Sequence, residues 1–288
     1  MVGTRALVIF LGVVAAGCEL TGDGGVGDPV STPPADVYGT GKRVHDVVGP
    51  ADDWYEPGNI DSSGCSFPKN RPVGLTGQVI VAIDRFDETG DGATGNIYVQ
   101  DAAATTDPPT PYSGITVFDP AFTPPDLRVF DGDVVDTFGN LQEFSGPTGS
   151  PFGDCRTLPE VGGTMTFRFD GFVPAPMTIV GANGGTPRWD GVKGYANARQ
   201  WIGSLVRIEG VILAEDGVED SNGRMSIAMD MGGGISADDV ISISNELFDL
   251  EGSGLDLATG TTYKSVTGVM TYFFGFKIAP RSVEDFEM

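Results

Sequence analysis

The chain has 288 residues, with 40 Asp and Glu against 17 Lys and Arg, which gives a formal net charge of −23 at pH 7. A field of this sign repels phosphate backbones and anionic lipid head groups, so the composition disfavours binding to nucleic acids. The single histidine, His45, excludes metal sites that need two histidine ligands.

The N-terminus carries a short apolar segment. Arg5 precedes an apolar run over residues 6–14, which is followed by Ala15-Ala16-Gly17-Cys18. The run is too short to span a bilayer and has the length of the hydrophobic part of a secretory signal peptide. With small residues directly before a cysteine, it resembles a bacterial lipoprotein signal. The resemblance implies cleavage before Cys18 and lipidation of that residue; an ordinary signal peptide cut nearby is the alternative.

The sequence after Cys18 predicts a flexible tether. Residues 19–45 are rich in Gly, Asp, Thr, Pro and Val, so little apolar surface is available to offset the entropy of ordering. We therefore divide the chain into a signal peptide (1–17), a tether (18–45), a first domain with a lead-in (46–171) and a second domain (172–288). The expected location is the bacterial cell envelope, periplasmic or surface-exposed, with the lipid anchor in the membrane.

Two cysteines remain once Cys18 is acylated, namely Cys65 and Cys155. An even pair in an exported, oxidising setting most often forms a disulfide, so we predict a bond between them. Two buried, unreactive thiols are the alternative.

The remaining sequence predicts a mostly β fold, because 43 Gly and 20 Pro favour turns between short runs of Val, Ile, Thr and Phe. In the first domain we predict a long strand (75–84), a middle pair (96–101 and 114–118) and a hairpin within 132–144 that turns at Gly139-Asn140. In the second domain the same order recurs after a short helix (195–201): a long strand (205–214), a middle pair (224–230 and 239–244) and a hairpin (263–271 and 276–280) that turns near Phe274-Gly275.

Five strands in each copy are what an OB-type barrel requires. The segment Trp201-Ile-Gly-Ser-Leu-Val-Arg-Ile-Glu-Gly-Val211 resembles the start of OB-fold modules of bacterial extracellular nucleases and related surface lipoproteins. Residues 96–101 with 112–118 resemble the middle pair of those modules, and residues 265–281 resemble their closing hairpin. The sequence thus predicts two tandem OB-like five-stranded barrels after a flexible N-terminal tether, and the resemblance implies an accessory module rather than a nuclease.

Alternation along the first middle pair predicts a ligand face. If the aliphatic positions 97, 99, 115 and 117 point into the barrel, the side chains that point outward are Tyr98, Gln100, Thr116 and Phe118. Such a face is suited to stacking a base or a sugar. Burial of Tyr98 and Phe118 under the connection 119–131 is the alternative.

An acidic loop follows the long strand of each copy. The first contains Asp84, Asp87 and Asp91, and the second contains Asp216 and Asp220. Calcium prefers six to eight oxygen ligands from a turning loop, so a structural calcium is the one cofactor that the sequence suggests; solvated acidic turns are the alternative.

The sequence predicts no enzyme, since His45 lies at the end of the tether, where no other side chains are expected to orient it for catalysis. The leading hypothesis is a non-enzymatic, membrane-anchored lipoprotein that serves as a binding or scaffold module for a protein or glycan partner. Nucleic acid is a disfavoured partner, although an accessory nucleic-acid-binding factor working with a separate secreted nuclease is the alternative function. A hydrolase with a carboxylate-bound metal is a third.

Overall fold

The computed structural model describes residues 41–49, 70–90, 92, 94–104, 109–123, 128–171, 175–233 and 235–288. The predicted signal peptide, Cys18, most of the tether, Cys65 and Asp91 lie outside these ranges, so lipidation at Cys18 and pairing of Cys65 with Cys155 stay predictions. Within the described ranges, no helix has the length and apolar character needed to cross a bilayer.

The described chain is mostly β. The first domain comprises α1 (Val44–Val48), β1 (Arg71–Ile83), β2 (Ile97–Asp101), β3 (Gly114–Thr123), β4 (Asp133–Phe144) and β5 (Leu158–Gly171). The second comprises β6 (Met177–Val180), β7 (Ala182–Asn183), β8 (Thr186–Pro187), α2 (Tyr195–Arg199), β9 (Leu205–Ile212), β10 (Ser226–Ala228), β11 (Ser242–Ser244), β12 (Thr262–Tyr272), β13 (Phe276–Ala279) and β14 (Phe286–Glu287).

The first domain is a closed barrel of five strands in the order β1-β2-β3-β5-β4. Its neighbouring strands are antiparallel except β3 and β5, which run parallel. The predicted inward set, Ile97, Val99, Ile115 and Val117, is buried in the barrel core. The closed barrel is confirmed, and its form is compatible with the predicted OB-like fold.

The end of the predicted tether belongs to the barrel. Val44, Val47 and Val48 of α1 pack into the barrel core. The Asp101 carboxylate accepts hydrogen bonds from Val44 N at 2.8 Å and His45 N at 2.9 Å. The helix is therefore held at its first turn by a carboxylate from β2.

The predicted hairpin within 132–144 is wrong. These residues form one strand, β4, because Gly139 pairs with Gly163 of β5 instead of turning. A Cβ atom at Gly139 would lie 2.2 Å from the carbonyl oxygen of Gly162, so the glycine marks a close approach of two backbones. The strand that completes the barrel is β5, which the sequence patterns did not indicate.

The second sheet has the order β10-β11-β13-β12-β9-β6, and β14 pairs with β12. Strands β9 to β13 thus follow the order of the first barrel, and the predicted α2 and the turn between β12 and β13 are present. The predicted second closed barrel is not formed, however. Strand β6 occupies the edge of β9, and β9 and β10 are joined only by an isolated bridge between Leu213 and Met229.

The two domains are in direct contact. Leu205, Val269 and Ala279 of the second domain form an apolar cluster with Val81 and Tyr98 of the barrel. At one edge of the contact, the ring of Phe152 meets four rings edge to face at centroid distances between 5.1 and 5.9 Å, namely those of Phe144, Tyr272, Phe273 and Phe274. The second domain thereby covers the outer face of β2 and β3.

Candidate functional site: an interdomain cavity

A cavity of about 470 Å³ lies between the barrel and the second sheet. The barrel contributes Asp84, Glu88, Asn96, Tyr98, Thr116, Phe118, Gln142, Phe144, Leu158 and Glu160, and the second domain contributes Arg224, Ser244, Asn245, Glu246, Thr271, Tyr272, Phe273 and Lys277. Small-molecule sites commonly have volumes of about 300–1,000 Å³, so the cavity has the size of a ligand site.

The part of the cavity wall that the barrel supplies includes four residues that pair with one another across neighbouring strands. Tyr98 of β2 pairs with Thr116 of β3, which pairs with Glu160 of β5, which pairs with Gln142 of β4. Successive side chains of a strand alternate between faces, so these four all project outward. Gln142 Nε2 donates to Glu160 Oε1 at 2.7 Å, which fixes the carboxylate beside the cavity.

Three of the four side chains predicted as a ligand face, Tyr98, Thr116 and Phe118, line this cavity, and three of the four are buried. Tyr98, Gln100 and Thr116 are at most 3% exposed, and Phe118 is half-buried. Gln100 joins the domains instead, since its Oε1 accepts from Leu205 N at 2.9 Å and its Nε2 donates to Ala175 O at 3.3 Å. Tyr98 is covered by the second domain, through Glu246 and the apolar cluster with Leu205, Val269 and Ala279.

The ring of Phe118 rests on a glycine. A Cβ atom at its register partner Gly162 would lie 2.6 Å from Phe118 Cζ. Any larger residue at position 162 would displace this ring, so Gly162 determines the shape of the apolar part of the wall.

The wall from the second domain centres on Glu246. Its Oε1 accepts from the Tyr98 hydroxyl at 2.7 Å, and its Oε2 accepts from Thr271 Oγ1 at 2.9 Å. Both carboxylate oxygens are therefore engaged by neutral donors, one from each domain.

Two cations flank the ring of Phe273. The Arg224 guanidinium carbon lies 5.1 Å and Lys277 Nζ lies 5.7 Å from the ring centroid, within the range of cation–π attraction. Arg224 Nε is 3.7 Å from Glu88 Oε1. Burial lowers the pKa of Lys277, against the opposing effect of Glu246.

Three carboxylates of the cavity wall, Asp84, Glu88 and Glu160, have raised pKa values, in each case mainly because of burial. Burial raises the pKa of Asp84 to about 7, and the charges of Glu246 and Glu88 add to the effect. Burial likewise raises the pKa of Glu160 to about 6. The pKa values of Asp84 and Glu160 are raised because burial removes water from the charged forms, and the hydrogen bonds from the Phe86 backbone and from Gln142 offset this effect only in part.

Three buried polar atoms in the cavity wall have no hydrogen-bond partner, namely Asp84 Oδ1, Thr116 Oγ1 and Ser244 Oγ. An unsatisfied buried polar group costs about 1–3 kcal/mol, so a hydrogen bond supplied to any of these atoms would be stabilising. They come from both domains, which makes the site a property of the interface.

The acidic loops act as turns in the part of the chain that the structure describes. Asp87 accepts from Gly92 N at 2.8 Å, and Asp220 accepts from Asn222 N at 2.7 Å. Asp216 accepts from Thr259 N and Oγ1, both at 2.7 Å. Among the described residues, no three His, Cys, Asp or Glu side chains are grouped to hold a metal, and calcium stays a prediction that these contacts do not support.

The sequence patterns missed Glu160, Glu246 and Lys277. Glu160 lies on β5, the strand that was not predicted, and Glu246 lies in the loop after β11. A signal was present for Lys277, because it is the one charged residue of the apolar strand Phe276-Lys277-Ile278-Ala279.

The structure is thus that of a mostly β protein in which a ligand-sized cavity lies between a closed five-stranded barrel and a second sheet. Comparison of the chain with models of protein families, with curated proteins and with solved structures finds no match.

Proposed function

We propose that the protein is a non-enzymatic lipoprotein of the bacterial envelope and that its interdomain cavity binds a saccharide unit of a glycan. The observation that carries the proposal is the composition of the cavity wall. Aromatic rings stand beside carboxylates, amides and hydroxyls, and three buried polar atoms of that wall lack partners.

A saccharide ring has an apolar face of C–H groups and an edge of hydroxyl donors and acceptors. The rings of Phe118 and Phe144 offer apolar contact. Thr116 and Ser244 offer hydroxyls, and Asp84 offers an acceptor, each with a hydrogen bond unmade. A cavity of about 470 Å³ holds a small ligand and is too small for a folded partner.

The second domain is consistent with this proposal if it is an OB-like module whose barrel is not closed. Its strands β9 to β13 keep the order of the first barrel, and its side chains complete the cavity. We propose that the tandem arrangement serves to enclose the ligand between two modules.

The nucleic-acid alternative has less support. In OB-folds the outer face of strands 2 and 3 is the usual nucleic-acid surface, and here Tyr98 and Thr116 of that face are covered by the second domain. Four carboxylates line the cavity with only two cations, Arg224 and Lys277, which opposes a phosphate backbone.

Saccharide binding is tested on the full chain, purified from membranes in detergent, with a glycan array followed by titration calorimetry of the best ligands. Phe118→Ala should weaken binding at least tenfold because it removes a ring of the cavity wall. Phe130→Ala, which truncates a ring that is 62% exposed, is the matched control and should bind like the wild type. Absence of saccharide binding, or full binding by the Phe118 variant, contradicts the proposal.

The membrane anchor is tested separately. Cys18→Ser should move the protein from the membrane fraction to the soluble fraction and remove the mass of the acyl chains from its N-terminal peptide. A Cys18→Ser protein that remains in the membrane fraction would contradict the lipoprotein assignment.

A further inference from the structure

We infer that the cavity selects an amino sugar, a saccharide that carries a protonated amine, and that Asp84 receives the ammonium group. The inference rests on the proposed function and names the ligand class of the same site.

The four carboxylates of the cavity wall differ in the hydrogen bonds and cations that offset their negative charge. Glu246 accepts two hydrogen bonds, and Glu88 lies near Arg224. Glu160 accepts from Gln142. Among the described residues, no ion pair involves Asp84. Its carboxylate accepts a hydrogen bond from the Phe86 backbone, but the side chain is 5% exposed and its Oδ1 has no donor.

The surroundings of Asp84 favour a cation over a neutral hydroxyl. Glu246, Glu88 and Asp87 all act on it with like charge, and the two cations of the wall are placed against Phe273. A hydroxyl would supply a donor and leave this repulsion in place. An ammonium supplies the donor and a positive charge together, and charge-assisted hydrogen bonds are about twice as strong as neutral ones.

Two other unpartnered atoms of the same cavity wall suit the rest of such a ligand. Thr116 Oγ1 and Ser244 Oγ are hydroxyl oxygens, each able to donate one hydrogen bond and accept two. They suit the ring hydroxyls of a sugar whose amine lies at Asp84. Phe118 supplies the apolar contact beside them.

Binding of an ammonium should also displace a proton. Because the pKa of Asp84 is raised to about 7, the empty cavity holds a proton on this carboxyl below neutral pH. The charged ligand needs the carboxylate, so its affinity should increase from pH 5 to pH 7. Two other carboxylates of the wall also have raised pKa values, Glu160 to about 6 and Glu88 by burial, so loss of the pH dependence in Asp84→Asn is the result that assigns it to Asp84.

The test is titration calorimetry of the full chain with glucosamine, N-acetylglucosamine and glucose at pH 7. Glucosamine should bind at least tenfold more tightly than the two neutral sugars, and Asp84→Asn should abolish this preference. Asp230→Asn is the matched control, since Asp230 is exposed, lies outside the cavity wall and is not among the charges that act on Asp84, and it should keep the preference.

The outcomes separate this inference from the proposed function. Equal or tighter binding of glucose or N-acetylglucosamine by the wild type, or an Asp84 variant that keeps the preference, overturns the inference and leaves the saccharide site standing. If no sugar binds, both fail. Should Asp84→Asn not fold, calorimetry of the wild type in buffers of different ionisation enthalpy still decides, because binding without proton release at pH 6 contradicts a role for Asp84.

Discussion

The hydroxyl of Tyr98 donates a hydrogen bond to Glu246 Oε1 across 2.7 Å, and this contact joins the first barrel to the second domain. Tyr98 is 2% exposed, and its pKa lies well above the ordinary value because of burial and then the charge of Glu246. The pair forms part of the cavity wall. The same contact therefore contributes to domain association and to the electrostatics of the site.

Removal of this hydroxyl should destabilise the protein. Tyr98→Phe leaves the half-buried Glu246 with one donor fewer, and a hydrogen bond to a charged group contributes about 1.5–3 kcal/mol. Urea denaturation followed by fluorescence measures the loss. Tyr263→Phe is the control, because its hydroxyl donates to a neutral backbone oxygen, Asp256 O, at 2.7 Å, and it should lose only about 0.5–1.5 kcal/mol. Equal losses would contradict the charge-assisted role.

The raised pKa of Asp84 predicts a pH-dependent stability. The group's pKa is about 7 in the folded protein against an ordinary 3.8, so the folded state binds the proton more tightly than the unfolded state. Its contribution to stability is complete below pH 3.8 and is lost as the pH rises through 7. The melting temperature of Asp84→Asn should therefore rise relative to that of the wild type as the pH increases from 4 to 8. A difference that stays constant over this range would contradict the shift.

A close backbone approach at the domain contact predicts a steric effect. A Cβ atom at Gly203 (φ +79°) would lie 2.4 Å from Ile115 N of the barrel. Gly203→Ala should cost about 1–3 kcal/mol for the overlap, in addition to the strain of the left-handed backbone. Gly254→Ala is the control, since Gly254 has φ +78° and no atom within 4 Å of the added Cβ, and it should show the strain alone. Denaturant titration of both variants measures the difference.

A buried ion pair also links the domains. Arg199 Nη2 lies 2.7 Å from Glu143 Oε1, and the two side chains are 9% and 2% exposed. Glu143→Gln should cost about 3–5 kcal/mol, because it leaves the arginine charge buried without its partner. Asp46→Asn, in the exposed pair with Arg43, is the comparison and should cost about 0–1 kcal/mol. Similar costs for both variants in urea titration would contradict the argument.

The pairing of Cys65 with Cys155 is a prediction from cysteine usage alone. Peptide mapping by mass spectrometry without reductant should find the two cysteine peptides joined, and reduction should separate them. Free thiols at both positions after alkylation would contradict the bond.

The sequence by itself determined the class of the fold and much of its local structure. Period-two alternation placed Ile97, Val99, Ile115 and Val117 in a barrel core, and Gly275 marked the turn between β12 and β13. These signals are local, because each depends on residues that lie close together in the chain. The same locality explains the error at Gly139, since a glycine that allows close backbone packing has the same local pattern as a glycine in a turn.

Only the tertiary structure decided where the site lies. Alternation showed that Tyr98, Thr116 and Phe118 point out of the barrel, yet it contained no information on what faces them. The partner of Tyr98, Glu246, comes from the second domain, and a contact between residues so far apart in the chain leaves no periodic pattern in the sequence. The raised pKa of Asp84 likewise arises from burial and from charges brought near by domain packing, which are properties of the folded chain.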